Sequence, residues 1–197
     1  MLVLITGGAS SGKSKFAEQY SAYLSNQGIY IATAQIYDEE MLSKVEKHKL
    51  QREQTGLVWQ TIEEPYHLTE LLLKKPLLDG IVLIDCLTLW LSNWILKFEV
   101  EEESTLKGDY VLVSNKINEL IDELLLAIQS VQGTLLMVTN EVGDGIVPEY
   151  PLGRIYRDLA GKLNKEVANI CDQVFLVTAG IPLELKKLGF QFDTTAG

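Results

Sequence analysis

Eight consecutive residues near the start of the chain have the types and spacing of a phosphate-binding loop. They match the pattern G-x-x-x-x-G-K-[ST], in which glycines let successive backbone N–H groups turn towards phosphate oxygens. The loop lies between a predicted strand, Leu2 to Thr6, and a predicted helix, whose positive end would add to the anion site. Lys13 is placed to reach the outer phosphates of a nucleotide, and the Ser14 hydroxyl to bind Mg²⁺. A glycine-rich turn without a ligand is the alternative, which the complete match in this context disfavours. The eight residues are Gly7, Gly8, Ala9, Ser10, Ser11, Gly12, Lys13 and Ser14.

Asp85 stands at the end of another apolar run, residues 81–84. Ligands of open α/β sheets bind outside the carboxyl ends of the strands, so this carboxylate is a candidate second ligand for Mg²⁺. The alternative is that Asp85 caps the helix predicted to begin at Leu87. The position favours metal or nucleotide binding over the cap.

The chain has two histidines, His48 and His67. His48 lies among Lys47, Lys49 and Arg52, a basic cluster on an acidic protein. Such a cluster would attract a phosphate and favour a neutral imidazole, which can act as a nucleophile. From the residues alone, a solvated histidine on a polar helix is the favoured interpretation. His67 lies at a predicted helix start, and we assign it no chemistry.

Apolar runs alternate with segments of helical periodicity, which predicts an α/β fold with a mostly parallel sheet. In the first helix the spacing places Phe16, Tyr20, Tyr23 and Leu24 on one face, with Gly28 as the C-cap. Strands are expected at 2–6, 29–34, 57–61, 80–84, 133–140 and 173–178; helices at 15–26, 66–74, 87–98, 110–129 and 154–170, with a polar, helix-prone stretch at 38–51; and loops at 99–108 and 143–153.

Length, charge and cysteine content narrow the class of protein. With 197 residues, we expect one catalytic domain, residues 1–185, followed by a C-terminal tail, residues 186–197. The 27 acidic residues outnumber the 17 basic ones, which argues against general nucleic-acid binding. No run of 18 apolar residues predicts a membrane span, and the start of the chain does not resemble a signal peptide. Cys86 and Cys171 are expected to be buried free thiols, which fits a cytoplasmic location.

Six segments together resemble one enzyme family. In a single colinear order between about Leu2 and Leu185, the chain is similar to the bifunctional adenosylcobinamide kinase/adenosylcobinamide-phosphate guanylyltransferases of cobalamin biosynthesis. The resemblance implies a P-loop, RecA-like fold. The segments are LVLITGGASSGKSKFAE, YIATAQIYDEEM, KVEKHKLQRE, WQTIEEP, LIDCLTLWLSN and TNEVGDGIVPEYPLGRIYRDLAGKLNKEVA.

The resemblance implies two reactions and assigns residues to them. ATP or GTP would phosphorylate adenosylcobinamide, and GMP would then pass from GTP to adenosylcobinamide phosphate through a GMP–histidine intermediate. His48 matches the guanylylated histidine, which reverses the interpretation made from the residues alone. Mg²⁺ is the implied cofactor and a homotrimer the implied assembly. Besides the loop, the matching nucleotide positions are Ala32, Thr33, Ala34, Lys49, Leu50, Gln51, Arg52, Glu63 and Asp85.

Two further groups of residues leave alternatives open. The segment Asn140 to Gly143, with Arg154 and Arg157, is expected at the far wall of the site; the alternatives are a turn capped by Glu141 and arginines on a helix surface. Trp90 and Trp94 could face the corrinoid or a neighbouring subunit, but core packing is favoured.

Three other functions compete with the bifunctional enzyme. One is a small-molecule kinase without histidine chemistry, and another is a regulatory nucleotide-binding module. The third, a RecA-like nucleic-acid motor, is disfavoured by the acidic charge.

Overall fold

The computed structural model describes residues 1–35, 50, 52, 55–74, 80–101 and 110–190. Within these ranges the chain forms strands and helices that largely alternate. The strands are β1 (Leu2–Thr6), β2 (Gln27–Ala32), β3 (Val58–Glu63), β4 (Ile81–Asp85), β5 (Thr134–Val138), β6 (Gln173–Thr178) and β7 (Ile181–Glu184). The helices are α1 (Lys13–Leu24), α2 (Leu68–Leu73), α3 (Leu87–Glu101), α4 (Val111–Ser130), α5 (Pro151–Ile170) and α6 (Leu185–Leu188).

The strands form one seven-stranded sheet in the order β3-β2-β4-β5-β1-β6-β7. All neighbours are parallel except β6 and β7, which pair antiparallel at one edge. The central strands β1, β4 and β5 are buried along almost their whole length, as expected when helices cover both faces of a parallel sheet. The predicted α/β class with a mostly parallel sheet is confirmed.

Two apolar clusters lie on the two faces of this sheet. The larger one packs α2 to α5 against the sheet around Trp90, Ile117 and Leu163. Trp90 and Trp94 are only 1% and 9% exposed, and both indole N–H groups donate to the Tyr66 carbonyl, at 2.8 and 3.1 Å. The expectation that these tryptophans belong to the core is therefore confirmed.

Three of the residues predicted to share a face of α1 do so, since the Tyr20 ring stacks on those of Phe16 and Tyr23. The fully buried residues of the helix are Ala17 and Ser21, and the Ser21 hydroxyl donates to the Ala17 carbonyl at 2.8 Å. These small side chains let the helix lie closely over the central strands, which places the larger aromatics at its flank. There Phe16 and Tyr20 pack edge-on against Phe175. Of the predicted face, Tyr23 is 82% and Leu24 38% exposed.

Other differences concern where elements begin and end. Ser25, not Gly28, is the C-cap of α1, and Gly28 lies inside β2. Helix α5 begins with Pro151 in its first turn, inside the segment expected to be a loop, because proline is well suited to a helix start. Residues 99–101 continue α3, whereas a loop was expected there.

The edge strand β7 and helix α6 are absent from the sequence-based prediction. A turn with Ala179 at φ 52° and Gly180 at φ 78° reverses the chain after β6. The Glu184 side chain then accepts hydrogen bonds from the first backbone N–H groups of α6. Cys86 and Cys171 are buried free thiols, as predicted. In the described part of the chain, the helices are too short or too polar to cross a bilayer.

Candidate active site

Six parallel strands end at one edge of the sheet and bring the predicted site segments together there. The loop of residues 7–14 follows β1, Thr33 follows β2, and Asp85 ends β4. Backbone bonds join these ends: the Thr33 N–H donates to the Asp85 carbonyl at 3.1 Å, and the Glu141 N–H to the Gly7 carbonyl at 3.0 Å. Ala32 lies in register with both Glu63 and Asp85. The topology thus places residues from distant parts of the sequence along one edge.

Two glycines of the loop have a backbone conformation that only glycine adopts readily. Gly7 has φ +156°, and a Cβ there would lie 2.4 Å from the Val177 carbonyl oxygen. Gly12 has φ +96° and immediately precedes α1 without a side-chain cap. The N–H groups at the start of α1 are therefore left for an anion, as the phosphate-loop interpretation requires.

Lys13 is buried at the first position of α1, with 8% of its surface exposed. Its Nζ donates to the Gly8 carbonyl at 3.0 Å, so the amine folds back over the loop. Burial lowers the pKa of Lys13, while the negative charges at Cys86, if ionised, and Asp85 act in the opposite direction. A cation held over the loop in this way suits phosphate binding.

The turn between β6 and β7 packs against the phosphate loop. The Gly180 N–H donates to the Ser11 carbonyl at 2.8 Å, and a Cβ on Gly12 would lie 3.2 Å from the Gly180 Cα. Ser11 Oγ is buried without a hydrogen-bond partner among the described residues. The sequence analysis did not predict this contact. The Ala179-Gly180 pair directly after a predicted strand could have indicated the turn.

The Asp85 side chain contacts β2, through Tyr30. Its Oδ2 accepts a hydrogen bond from the Tyr30 hydroxyl at 3.0 Å. Burial and the neighbouring Asp85 charge hold the pKa of Tyr30 well above its ordinary value. The phenol therefore stays a hydrogen-bond donor, and it orients the carboxylate at the strand end.

A second carboxylate, Glu18, lies buried close to this pair. Its side chain is on α1 and is 1% exposed, and its Oε1 has no hydrogen-bond partner within the described ranges. Burial raises the pKa of Glu18 to about 7, although the Arg52 charge lowers it; Asp85 raises it further. Arg52 is itself 5% exposed, with its guanidinium carbon 3.6 Å from the centroid of the Tyr30 ring. Sequence reasoning assigned no role to Glu18 or Tyr30.

Hydrogen bonds fix the ends of β2 and β4. The Thr33 hydroxyl donates to the Cys86 carbonyl at 2.7 Å and accepts from the Cys86 N–H at 2.8 Å. The Asn93 amide donates to the Thr33 carbonyl at 2.8 Å. Thr33 is fully buried, so its side chain supports the floor of the site and faces away from solvent.

A similar network fixes the end of β5. The Asn140 amide donates to the Thr88 hydroxyl at 2.7 Å, and the Asn164 amide donates to the Asn140 carbonyl at 3.0 Å. The Thr139 hydroxyl completes the chain by donating to Asn164 Oδ1 at 2.6 Å. Sequence reasoning named Asn140 but not its partners, because they lie on other elements.

The loop at residues 141–149 is held by the side chains that were expected at the far wall. Glu141 accepts from the Gly143 N–H at 2.7 Å, so it does cap a turn. Arg157 donates to the Gly143 carbonyl at 2.8 Å, and Arg154 donates to the carbonyls of Pro148 and Glu149. Both arginines therefore organise this loop.

Comparison with known proteins agrees with the geometry. A family model described as cobinamide kinase/cobinamide phosphate guanyltransferase matches residues 3–185. The chain belongs to this family. It is 38% identical over 186 residues to each of two proteins named bifunctional adenosylcobalamin biosynthesis protein CobU, from Escherichia coli K12 and Salmonella typhimurium LT2, covering 94% of this chain and 100% of each relative. It is 37% identical over 183 residues to the bifunctional adenosylcobalamin biosynthesis protein CobP of Pseudomonas aeruginosa, covering 93% of this chain and 96% of that relative.

Membership of the cobinamide kinase/guanyltransferase family makes the chain a transferase that uses nucleotides, with the P-loop fold of the family. The structure brings the loop, the 32–34 segment, Glu63 and Asp85 to one edge of the sheet. Leu50 is 62% exposed, whereas Arg52 is buried. His48, Lys49 and Gln51 lie outside the described residues.

The residues at this edge fit a magnesium–nucleotide complex. Ser14 and Asp85 are both partly exposed, and hydroxyl and carboxylate oxygens are the ligands that Mg²⁺ prefers. No group of three or more metal-binding side chains was found among the residues that the structure describes. That is compatible with Mg²⁺, which commonly takes one or two protein ligands together with substrate phosphates and water.

Proposed function

We propose that this chain carries out both reactions of its family. It would phosphorylate adenosylcobinamide with ATP or GTP and then transfer GMP from GTP to adenosylcobinamide phosphate. The observation that carries the proposal is the phosphate loop with buried Lys13, at the sheet edge where Asp85 also lies. The relatives' names, which describe bifunctional proteins of adenosylcobalamin biosynthesis, support the same conclusion.

In the kinase step, the aminopropanol hydroxyl of adenosylcobinamide would attack the γ-phosphorus of the nucleotide. The new P–O bond forms as the bond to the β-phosphate oxygen breaks, the nucleoside diphosphate leaves, and the hydroxyl proton is released. The loop N–H groups and the Lys13 ammonium would neutralise charge on the leaving phosphates. Positioning and charge stabilisation supply most of the catalysis in such reactions.

In the guanylyltransfer step, we propose His48 as the nucleophile. The lone pair of its neutral imidazole would attack the α-phosphorus of GTP, a P–N bond would form, and pyrophosphate would leave. A phosphate oxygen of adenosylcobinamide phosphate would then attack the same phosphorus and break the P–N bond. This gives adenosylcobinamide-GDP and regenerates His48. Two displacements replace one that is more difficult.

Mg²⁺ would be held by Ser14 and Asp85 together with the nucleotide. When bound, it supplies positive charge to the phosphates. When Mg²⁺ is not bound, the hydrogen bond of 3.0 Å from the Tyr30 hydroxyl to Oδ2 would keep the Asp85 carboxylate oriented. The remaining proposed nucleotide contacts are Ala32, Thr33, Ala34, Lys49, Leu50, Gln51, Arg52 and Glu63. Thr33 is fully buried, and its hydroxyl, N–H and carbonyl are bonded to Cys86, Asp85 and Asn93, so its part in the site would be to fix the strand end.

The resemblance also suggests an assembly and a domain organisation. We propose a homotrimer whose subunits each form one catalytic domain over residues 1–185, followed by a tail, in the cytoplasm. The two buried free thiols are compatible with a reducing compartment. Sedimentation equilibrium of the full chain tests the assembly: a mass near three subunits supports it, and a monomer or dimer contradicts it.

Covalent labelling with [α-³²P]GTP tests the histidine mechanism. The native chain is expected to take an acid-labile, alkali-stable label, and His48→Ala to take none. His67→Ala is the matched control, because His67 is the chain's other histidine and lies exposed at the start of α2. The control should label like the native protein. Label that survives in His48→Ala contradicts the assignment.

A kinase without histidine chemistry gives a different result in the same experiment. It would phosphorylate cobinamide from a γ-labelled nucleotide but take no α-label. A regulatory nucleotide-binding module would bind GTP and form neither product. The two assays together therefore separate the three functions.

A further inference from the structure

The β5–α5 loop, residues 139–150, carries an apolar patch that faces solvent. Ile146 is 97% exposed, Val147 59% and Tyr150 65%. Single exposed apolar side chains are common on protein surfaces, but these three lie within five consecutive residues. Contiguous apolar patches mark places where a ligand or another molecule binds. The proposed roles of the phosphate loop and Asp85 do not account for this patch.

Hydrogen bonds fix the backbone of the β5–α5 loop on both sides of the patch. The Gly143 N–H donates to Glu141 at 2.7 Å, and the Gly143 carbonyl accepts from Arg157 at 2.8 Å. On the other side, Arg154 donates to the Pro148 carbonyl at 3.1 Å. The patch therefore lies on an ordered piece of backbone. A surface held in this way loses little conformational freedom when a ligand covers it.

Tyr150 is packed against the first turn of α5. A Cβ added at Gly153 would lie 2.7 Å from Tyr150 Cε2 and 2.8 Å from Pro148 Cβ, so a larger residue at position 153 would displace both rings. One side of the phenol ring is thus covered by the helix, while most of its surface remains exposed. An exposed tyrosine held in one place offers a ligand both an aromatic face and a hydroxyl group.

The β5–α5 loop leaves the sheet next to the proposed catalytic groups. Strand β5 lies between β4, which ends at Asp85, and β1, which leads into the phosphate loop. The Glu141 N–H donates to the Gly7 carbonyl at 3.0 Å. Ile146 is five residues after Glu141, so it lies within about 18 Å of that residue. A large molecule that accepts a phosphoryl group at this edge would extend over the surface around it.

The chemistry of the patch fits the second substrate of the proposed function. Adenosylcobinamide has an apolar macrocycle bordered by carboxamides, and Co(III) held by a corrin monoanion and an alkyl ligand leaves it with a net positive charge. Two exposed carboxylates, Asp144 and Glu149, flank the patch. The guanidinium groups of Arg154 and Arg157 are bonded to backbone carbonyls of the loop. The carboxylates would attract a cationic corrinoid and repel the phosphates of a further nucleotide.

We propose that Ile146, Val147 and Tyr150 form the surface on which the corrin ring of adenosylcobinamide rests while its aminopropanol arm reaches the phosphate loop. This inference rests on the proposed function, because it names where the second substrate of that function binds. Adenosylcobinamide phosphate carries the same ring, so the surface serves both reactions. The proposal predicts an effect of the patch on affinity for the corrinoid and not on affinity for the nucleotide.

The experiment compares Ile146→Ser with Leu126→Ser in the full-length chain. Both changes replace an exposed aliphatic side chain by a small polar one, and Leu126, which is 68% exposed, lies in the second half of α4. Equilibrium dialysis measures the Kd for adenosylcobinamide. Steady-state assays of the kinase reaction measure kcat and the KM of each substrate.

We expect Ile146→Ser to raise the Kd and the KM for adenosylcobinamide at least fivefold, because the ring loses its most exposed apolar contact. The KM for GTP and kcat should stay within twofold, and Leu126→Ser should stay within twofold in every quantity. An unchanged Kd for adenosylcobinamide in Ile146→Ser overturns the proposal. So does an equal rise in both KM values, because this would indicate a displaced phosphate loop.

A second pair of variants tests the charge of the ligand. Asp144→Asn combined with Glu149→Gln removes the two carboxylates beside the patch. Asp122→Asn combined with Glu123→Gln makes the same change in net charge on the exposed side of α4. Only the first pair should raise the Kd for adenosylcobinamide, by about two- to fivefold, and high salt should abolish the difference by screening. Equal effects of the two pairs overturn the choice of a cationic ligand.

Sedimentation equilibrium distinguishes a corrinoid surface from a contact between copies of the chain. Ile146→Ser should have the same mass in solution as the native protein. A lower mass overturns the proposal, because the patch would then be a subunit interface.

The dialysis experiment also separates failure of this inference from failure of the proposed function. If the native protein does not bind adenosylcobinamide, both are contradicted. If the native protein binds and phosphorylates it, and Ile146→Ser binds it with the same Kd, only this inference is contradicted.

Discussion

At the scale of single residues, Lys13 links the fold to the proposed chemistry. It is the first residue of α1, it is buried, and its amine lies 3.0 Å from the Gly8 carbonyl of the phosphate loop. Lys15 lies two positions later on the same helix but is exposed. Two lysines within one helical turn thus lie in different environments, and only Lys13 faces the loop.

Replacing Lys13 by alanine is expected to lower both activities about a hundredfold or more, because the leaving phosphates would lose the cation that lies over the phosphate loop. Steady-state assays of cobinamide phosphorylation and of GMP transfer measure this. Lys15→Ala removes the same side chain from the exposed face and should keep activity within about twofold. Equal losses in the two variants would contradict the role of Lys13.

Glu18 predicts an unusual dependence of stability on pH. Its pKa is raised from 4.5 to about 7, mainly by burial. Between these pH values the folded chain keeps a proton that the unfolded chain has released, so the Glu18 contribution to stability falls as the pH rises through this window. Above about pH 7 the loss is complete. The groups facing Glu18 among the described residues are Arg52, which opposes the shift, and Asp85, which adds to it.

Glu18→Gln removes this titration. Relative to the native chain, the variant's free energy of unfolding should rise by roughly 1 to 3 kcal/mol between pH 4.5 and pH 8. Urea unfolding at a series of pH values measures it. Glu123→Gln, on the exposed side of α4, is the control for the change in net charge. A difference that is independent of pH would show that Glu18 is not titrating in this window.

At the scale of elements, the phosphate loop depends on a hairpin that is far away in sequence. The turn between β6 and β7 donates from Gly180 to the Ser11 carbonyl at 2.8 Å. Gly12 has φ +96° and approaches the Gly180 backbone closely enough that a Cβ would lie 3.2 Å from its Cα. The loop conformation and the edge of the sheet are thus coupled.

Gly12→Ala is expected to destabilise the fold by roughly 1 to 3 kcal/mol, because alanine is strained at this φ and crowds Gly180. It should also weaken nucleotide binding, because the loop would shift. Gly161→Ala is the control: Gly161 lies exposed within α5, and a Cβ there meets no atom within 4 Å. That change should stabilise the helix by up to about 1 kcal/mol. Thermal unfolding measures both, and equal effects would contradict the argument.

At the scale of the whole molecule, ligand binding should stabilise the fold as a unit. The proposed site draws on β1, β2, β4 and the start of α1, which belong to one continuous sheet and its covering helix. A nucleotide bound there is lost when these elements separate. Binding and global unfolding are therefore expected to be linked.

GTP with Mg²⁺ at a hundred times its dissociation constant is expected to add about 2.7 kcal/mol of stability, or roughly 5 to 10 °C in the unfolding temperature. Differential scanning fluorimetry over a series of GTP concentrations measures the shift. Lys13→Ala should show a smaller shift at equal GTP. An unfolding temperature that does not respond to GTP would contradict binding at this site.

The sequence by itself determined the type and approximate position of most elements, although β7 and α6 were missed. The phosphate loop, the alternation of strands and helices, and the apolar strands β1, β4 and β5 follow from short-range spacing, which acts within a few residues along the chain. Helix α1 shows where this reasoning ends. Spacing placed its aromatics on one face, but the close approach of helix and sheet decided that Ala17 and Ser21 are the fully buried residues.

Only the tertiary structure decided which residues meet. Glu18, Tyr30, Arg52 and Asp85 lie on different segments, and their contacts arise because β2 pairs with β4 while α1 covers the same face. Residue patterns carry no record of strand order, since any order leaves the same side chains apolar. The strand order is set by the packing of the complete chain. This packing places the buried Arg52 on the ring of the buried Tyr30, next to the Asp85 carboxylate at the end of β4.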